Sequence, residues 1–367
     1  MKLRQLLFIC TITLASSTVY SQLKTPFSRM DVFELEWAQN PEISPDGRWI
    51  VYQRRGMDVM NDKKQSRLWL LSSDGKNHTI LTGRDANESN PVWSPDGTRI
   101  AFISGTKNGS EIFMYWLGTG KTARLTQLPK SPGKLAWSPD GTQLAFTMKV
   151  DSKPATLVQP PKKPAGAKWA TPPRVTTRLK YEADGSGYIS PGFTHLFIIS
   201  AEGGTARQVS SGNFNFGNPH WAANGKSLFF SANLNADWEY QTRNSEIYFI
   251  NIEDGKITAL TDRKGPDYGL VISPNGKQIA YLGYDDKVQT YQVNAIYLMN
   301  SDGSGNEKIN TNLDRGKSNL QWSPDGKGLY FQYDDKGNTK IGYTTFSGKT
   351  SLVAHNVGGT SIGRPYG

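Results

Sequence analysis

The stretch WSPDGTRIAF, at residues 93–102, is repeated in six versions along the chain. The copies begin at Ile43, Trp93, Trp137, Trp221, Ile272 and Trp322. Each copy has an aromatic or aliphatic anchor, then Ser-Pro-Asp-Gly or a variant, then an alternating apolar run. Pro fixes φ at the first turn position, Asp bonds to its own backbone, and Gly accepts the positive φ that ends the turn. The pattern predicts one β-hairpin, repeated six times.

The spacing of the copies predicts how the hairpins are organised. Their starting positions are 50, 44, 84, 51 and 50 residues apart, and four of these spacings match a propeller blade. Gly turns followed by short strands lie between the hairpins, as in SDGKNHTILT at 73–82 and EDGKITALT at 253–261. Aromatic strands such as EIYFINI at 246–252 precede most of them. Four strands per repeat predict an all-β fold, a β-propeller of four-stranded blades with six repeats visible.

The repeated Trp, Pro, Asp and Gly residues have a structural explanation in every copy. Turn geometry accounts for the Pro, Asp and Gly, and burial between neighbouring blades accounts for the anchor. We therefore nominate none of the repeated Asp residues as catalytic.

The N-terminus has the features of an export signal. Residues 1–22 contain a basic end, with Lys2 and Arg4, and an apolar middle that is too short and too rich in Thr and Ser to span a membrane. This predicts an exported protein, periplasmic or secreted, whose propeller occupies 23–367. Cys10 is the only cysteine, so the mature chain has neither a disulfide nor a thiol nucleophile.

The net charge of the chain is strongly positive. It is +10 for the whole sequence and +8 without Lys2 and Arg4. Such a balance raises the possibility of nucleic-acid binding. The Lys and Arg residues are scattered over turns and strand edges instead of forming one run, so we expect a solvated basic surface and no nucleic-acid partner.

Two segments depart from the repeat. A short helix or turn is expected at 31–36, ahead of the first copy. The 84-residue spacing contains an insertion at about 151–192, whose first half, 151–174, is rich in Pro and Lys and predicts an exposed arm. Its second half, 178–192, has aromatic residues and Gly turns and predicts a small hairpin. A long insertion within one blade is more often functional than decorative.

Four stretches together resemble the N-terminal propeller of prolyl-oligopeptidase-family serine peptidases, in particular the acylaminoacyl-peptidase or dipeptidyl-peptidase-like group. They are DVFELEWAQNPEISPDGRWIVY at 31–52, RLKYEADGSGY at 178–188, HLFIISAEGGTARQVSSG at 195–212 and GGTSIGRPYG at 358–367. The hairpin by itself is also similar to the periplasmic propellers of the Tol system.

The resemblance implies a seven-bladed propeller that sits over a C-terminal α/β-hydrolase domain and admits short peptides. The Ser, Asp and His of the catalytic triad belong to the hydrolase domain. Since the sequence stops at Gly367, the resemblance implies a fragment or truncated product that holds six of seven blades, lacks the hydrolase domain and is inactive alone. The implied partners are a peptide substrate and that missing domain.

Several motifs could suggest other chemistry. The sequence at 359–363 fits the G-x-S-x-G pattern of a nucleophile elbow, but no helix can follow it within GRPYG, so we assign no catalytic residue. The four histidines lie in separate repeats without ligand spacing, and acidic turns such as 285–286 lack the dense oxygen ligands that calcium needs. We expect neither a metal nor another cofactor.

If the peptidase resemblance holds, a small set of basic and aromatic residues should lie near the domain interface or the entry route of the peptide. These residues are Arg174, Arg178, Tyr181, Arg364 and Tyr366.

Two alternative functions stay open at this point. One is a stand-alone Tol-like propeller that binds a protein or peptide partner. The other is an enzyme that acts on carbohydrate with carboxylates such as Asp237, Glu239 and Glu246, although the sequence gives no distance between them. The sequence gives neither the peptide specificity nor the oligomeric state.

Overall fold

The computed structural model describes residues 26–84, 86–153, 158, 161–171 and 173–358. The predicted export signal and the motif at 359–363 lie outside these residues. A 3-10 helix at Met30–Glu34 falls in the segment where a short helix or turn was expected. Within the described ranges, no helix is long and apolar enough to cross a membrane.

Six antiparallel sheets of four strands follow one another along the chain, so the six predicted blades are confirmed. Blade 1 contains β1 (Trp37–Ile43), β2 (Trp49–Asp58), β3 (Lys63–Ser72) and β4 (His78–Ile80). Blade 2 contains β5 (Glu88–Trp93), β6 (Arg99–Thr106), β7 (Gly109–Trp116) and β8 (Lys121–Arg124). Blade 3 contains β9 (Pro132–Trp137), β10 (Gln143–Val150), the two strands of a hairpin in the insertion, β11 (Glu182–Ala183) and β12 (Gly187–Tyr188), then β13 (Phe193–Ser200) and β14 (Arg207–Gln208).

The last three blades repeat the same order. Blade 4 contains β15 (His220–Trp221), β16 (Ser227–Ala232), β17 (Glu246–Asn251) and β18 (Ile257–Ala259). Blade 5 contains β19 (Asp267–Ile272), β20 (Gln278–Gly283), β21 (Ala295–Asn300) and β22 (Glu307–Ile309). Blade 6 contains β23 (Lys317–Trp322), β24 (Gly328–Asp335), β25 (Asn338–Thr345) and β26 (Thr350–Ala354).

The Ser-Pro-Asp-Gly turn has the geometry that its residues predict. In blade 2, the Ser94 hydroxyl donates to Asp96 Oδ1 at 2.5 Å and the backbone N–H of Thr98 donates to the same oxygen at 3.0 Å. Gly97 closes the turn with φ +70°. The hydroxyl and amide donors lower the pKa of Asp96. The carboxylate of the repeated Asp therefore accepts hydrogen bonds within its own turn.

The first strand of five of the six blades carries an irregularity that the repeat did not predict. Its pairing with the second strand slips by one residue in blades 1, 2, 3, 5 and 6. In these five blades the residue three positions before the anchor has a positive φ: Asn40, Asn90, Lys134, Gly269 and Asn319. A bulge of this kind bends a strand and increases its twist. First strands of successive blades also contact one another, for example β1 with β5 and β5 with β9, so the bulged strands lie nearest the axis.

The apolar core is divided among the contacts between neighbouring blades. Five buried clusters join blades 1 and 2, 2 and 3, 3 and 4, 4 and 5, and 5 and 6. Among the described residues, no such cluster joins blade 6 to blade 1. The expected burial of the anchor is accordingly wrong for blade 1, where Ile43 is 65% exposed because no described blade packs against this side of blade 1. We call this unpacked boundary the seam.

Candidate functional site

One end of the ring differs strongly from the other. The connections between second and third strands are short in blades 1, 2 and 6 and long in blades 3, 4 and 5. Because every sheet is antiparallel, all these connections emerge at the end opposite the Ser-Pro-Asp-Gly turns. The long ones are 151–192, 233–245 and 284–294. We call the described parts of these three connections the loop face.

Arg178 attaches the insertion of blade 3 to the loop of blade 4. Its Nε lies 3.2 Å from Glu239 Oε1, and both side chains are only 24% exposed. The guanidinium also lies over the rings of Phe193, at 4.8 Å, and Trp238, at 4.9 Å. Arg178 Nη1 donates to the carbonyl of Gly192 at 3.4 Å. Through these contacts Arg178 connects the base of the insertion to the loop of blade 4.

The predicted hairpin of the insertion is present and carries a stack of side chains. The rings of Tyr181 and Tyr188 are 6.2 Å apart, and the Arg174 guanidinium lies 3.8 Å above Tyr188. Both tyrosines are about half exposed. Arg174 and Tyr181 thus both contact Tyr188, and Arg178 lies at the base of the insertion. Arg364 and Tyr366 lie outside the described residues, and the role of all five stays a prediction.

Apolar side chains are concentrated on the loop face. Of the twenty large apolar side chains that are exposed in the described part of the chain, ten lie there. They are Val158, Trp169, Val175, Leu179, Tyr181, Tyr188, Ile189, Tyr240, Val288 and Tyr291. Exposed apolar residues gathered in this way mark interaction surfaces.

The loops of blades 4 and 5 enclose a groove between them. Arg243 Nη1 donates to the Gln289 carbonyl at 3.4 Å, and the backbone N–H of Asp286 donates to the Lys264 carbonyl at 2.9 Å. The cavity has a volume of about 770 Å³, which lies within the range of pockets that hold small ligands. We call it the blade 4–5 groove. Its lining includes Tyr240, Thr242, Arg243, Lys264, Asp286, Val288 and Thr290.

Two buried carboxyl groups lie beneath the loops. Burial raises the pKa of Glu246 to about 7, and the charge of Asp267 adds to the rise. Burial also raises the pKa of Asp267 to about 6, although Arg263, whose Nε is 3.0 Å from Asp267 Oδ1, opposes the shift. Perturbed pKa values can mark catalytic groups, but Glu246 and Asp267 are only 7% and 0% exposed.

The repeat explains one of these buried carboxyl groups structurally. In blade 4 the Thr261 hydroxyl donates to Glu246 Oε2 at 2.5 Å, and in blade 2 the Thr126 hydroxyl donates to Glu111 Oε2 at 2.7 Å. Blade 3 has Ser210 against His195 at 3.1 Å in the same place. In these three blades, a hydroxyl that follows the outer strand therefore forms a hydrogen bond with a buried polar side chain near the start of the third strand. The recurrent Leu-Thr or Val-Ser pairs were the available sequence signal.

The carboxylates considered for carbohydrate chemistry have separate partners. Asp237 accepts from Gln241 Nε2 at 2.6 Å, Glu239 pairs with Arg178, and Glu246 is buried. Within the described ranges, no three His, Cys, Asp or Glu side chains are grouped so that they could hold a metal ion.

Sequence reasoning found the insertion of blade 3 but missed the other two loops. The spacings of blades 4 and 5 are normal because their second and third strands have six residues each. The corresponding strands of blades 1, 2 and 6 have eight or ten residues. The runs NLNADWEYQTRN at 233–244 and YDDKVQTYQ at 284–292, rich in Asn, Asp and Gln, were the available signal.

The chain matches two protein-family models. A family model described as the TolB beta propeller domain matches residues 57–242, half of the chain. The chain belongs to this family. A second model, the N-terminal beta-propeller domain of acylaminoacyl-peptidase, matches residues 167–325 of this TolB-type propeller. The second match includes most of the loop face.

Individual relatives of the TolB-type propeller include peptidases. Dipeptidyl-peptidase 5 of Porphyromonas gingivalis is 24% identical over 320 residues, which cover 82% of this chain and 45% of that protein. The uncharacterized peptidase YuxL of Bacillus subtilis is 24% identical over 212 residues, 56% of this chain and 31% of that protein. The structure of uncomplexed Pyrococcus horikoshii acylaminoacyl peptidase covers 88% of this chain and 46% of its own, with a TM-score of 0.67 and 16% identity. The TolB-type propeller thus spans less than half the length of these peptidases.

Proposed function

We propose that this chain is the propeller of an exported serine peptidase of the acylaminoacyl- or dipeptidyl-peptidase type. Its role is to select short peptides for an α/β-hydrolase domain that carries the catalytic Ser, Asp and His. The observation that carries the proposal is the loop face, where three consecutive blades present linked loops with exposed apolar side chains. The peptidase relatives and the acylaminoacyl-peptidase model support it.

In this role the propeller contributes binding and exclusion instead of bond breaking. The exposed tyrosines of the insertion hairpin offer stacking and apolar contact to peptide side chains, and Arg174 adds a positive charge beside them. Arg178 and Glu239 keep this surface in a fixed position relative to blade 4. A substrate held in a fixed orientation reacts faster because the entropy of alignment has already been lost on binding.

The reading frame beyond codon 367 provides the first test. We expect it to encode a second G-x-S-x-G motif placed between a strand and a helix. In the protein that contains both domains, replacing Arg174 with Gln and Tyr181 with Ser should change KM for short peptides and leave the stability of the ring unaltered. A stop codon directly after Gly367, or unchanged kinetics in both variants, would contradict the proposal.

The match to the TolB domain model favours a second candidate, a propeller that works alone and binds a protein or peptide partner. Here the loop face would be the partner surface. The two candidate functions predict different stability for the purified chain in the absence of any partner. A stand-alone binding protein should be a stable monomer that unfolds cooperatively, whereas a propeller that lacks its companion domain should aggregate or be degraded quickly through the seam.

A further inference from the structure

We infer that the blade 4–5 groove binds the carboxylate group of a peptide. The inference deepens the proposed function and rests on it where it names a peptide as the ligand. It assigns a ligand chemistry to a cavity that is separate from the hairpin stack of blade 3.

The cationic groups of the groove carry the inference. Arg243 enters from the loop of blade 4, and Lys264 comes from the connection between blades 4 and 5. Within the part of the chain that the structure describes, neither side chain forms an ion pair with a carboxylate. Arg243 makes one hydrogen bond, to the Gln289 carbonyl, which fixes the guanidinium near the groove and leaves its other N–H groups available.

The one acidic residue of the lining does not neutralise these cations by contact. Asp286 Oδ1 accepts from the backbone N–H of Val288 and from Gln292 Nε2, each at 2.9 Å. These hydrogen bonds lower the pKa of Asp286, with the nearby charges of Arg243 and Lys264 adding to the effect. The Asp286 carboxylate therefore stabilises the conformation of its own loop. The lining retains two positive charges against one negative charge.

The remaining lining suits a peptide more than a bare inorganic anion. The hydroxyls of Thr242 and Thr290 make no hydrogen bond with other described residues and can donate to a ligand oxygen. Tyr240 and Val288 are 79% and 83% exposed, so they offer apolar contact to the side chains that accompany a carboxylate. A carboxylate that receives charge-assisted hydrogen bonds next to apolar contacts is bound more tightly and more selectively than a free ion.

The test measures fluorescence anisotropy of labelled peptides with the full chain at low salt. The probe is fluorescein-Gly-Phe-Ala-Phe with a free C-terminal carboxylate, compared with its C-terminal amide. A third probe, fluorescein-Gly-Phe-Glu-Phe-amide, shows whether a side-chain carboxylate can replace the terminal one. We expect at least one of the two carboxylate-bearing peptides to bind about tenfold more tightly than the neutral amide.

A matched pair of double variants locates the effect. Arg243→Gln with Lys264→Gln should remove the tenfold preference and leave binding of the neutral amide unchanged. Lys226→Gln with Lys277→Gln removes the same charge from the turns of the same two blades at the opposite end of the ring, and the preference should persist. Equal binding of all three peptides, or a preference that survives in the groove variant, would overturn the inference.

A small carboxylate separates this inference from the proposed function. If none of the peptides binds, succinate is titrated into the isotope-labelled chain and backbone amide shifts are followed by NMR. Succinate shifts at the groove that vanish in the Arg243→Gln, Lys264→Gln variant would support the carboxylate site while rejecting peptide selection. If succinate shifts no amides at the groove, the site itself is rejected.

Discussion

The indole N–H of Trp137 donates a hydrogen bond to the backbone carbonyl of Val92 at 3.2 Å. Val92 is the residue immediately before the anchor of the preceding blade. The same relationship recurs elsewhere in the ring at 3.1 Å, from Trp93 to Glu42, from Trp221 to Ala136 and from Trp322 to Val271. The repeated tryptophan therefore fills the space between two blades and also bonds one first strand to the next.

Replacing Trp137 with Phe tests the contribution of this bond. The variant keeps an aromatic ring but leaves the Val92 carbonyl without its donor, so the free energy of unfolding should fall by about 1–2 kcal/mol. The measurement is urea unfolding followed by circular dichroism. Trp49→Phe is the control, since the Trp49 indole makes no hydrogen bond with the described residues, and a loss as large as that of Trp137→Phe would contradict the argument.

The repeated turn makes a prediction about glycine. Gly97 has φ +70°, and an added Cβ would meet only the ring of Pro45 at 3.5 Å, so backbone strain is the dominant effect of Gly97→Ala. We expect a destabilisation of about 1 kcal/mol. Gly118→Ala is the control because Gly118 has an ordinary φ and open space around its Cβ position. Its thermal midpoint should stay level or rise slightly.

The buried carboxyl groups predict how stability depends on pH. The pKa of Glu246 is about 7 in the folded protein, above its ordinary value of 4.5, with Arg263, Asp262 and Asp267 as its charged neighbours. The neutral carboxyl therefore stabilises the fold fully below pH 4.5, and this contribution is lost as the pH rises through 7. Asp267, with a pKa of about 6, acts in the same direction.

Glu246→Gln keeps the hydrogen-bonding shape of the neutral acid and cannot ionise. Its stability should fall less between pH 5 and pH 8 than that of the parent protein, and at pH 8 it should exceed the parent by about 2 kcal/mol. Denaturant titrations at a series of pH values measure this difference. Parallel stability curves for the two proteins would show that Glu246 does not titrate in this range.

Arg178 provides a prediction about the insertion. Arg178→Gln removes the ion pair with Glu239 and the contacts with Phe193 and Trp238. Chymotrypsin cleavage within the insertion should become several times faster, because local detachment frees the backbone next to its half-exposed aromatic residues for the protease. Arg207→Gln, at the opposite end of blade 3, is the control and should leave the rate unchanged. Equal rates in both variants would show that Arg178 does not hold the insertion.

Much of the fold was predictable because its determinants are local. A Ser-Pro-Asp-Gly turn specifies its own conformation, and the alternation after it specifies which face is buried. The repeat of these signals led directly to the six blades. Aromatic residues and Gly turns led separately to the hairpin expected within 178–192, whose strands pair Glu182 with Tyr188. The acylaminoacyl-peptidase relationship was predictable from the four stretches that carry the resemblance. The family model that confirms it includes two of them, 178–188 and 195–212.

The candidate site was less predictable because it depends on contacts between distant residues. No local pattern indicates that Arg178 meets Glu239, 61 residues away, or that Arg243 meets Gln289 across two blades. The bulge at positions such as Asn90 and Lys134 was also missed. Lys134 gave no signal, but Asn three residues before the anchor in blades 1, 2 and 6 was an available one, since Asn is enriched at positive φ. The long loops of three consecutive blades form one surface in the folded protein, but they are separated in the sequence.

The seam has a consequence for how the molecule loses structure. Among the described residues, five apolar interfaces couple the six blades, so blades 1 and 6 each pack against one neighbour and the four central blades pack against two. A one-dimensional array of this kind frays from its ends. Amide hydrogens of β2 and β24 should therefore exchange with deuterium sooner than those of β10 and β16, and a ligand that bridges the two terminal blades should slow that exchange most.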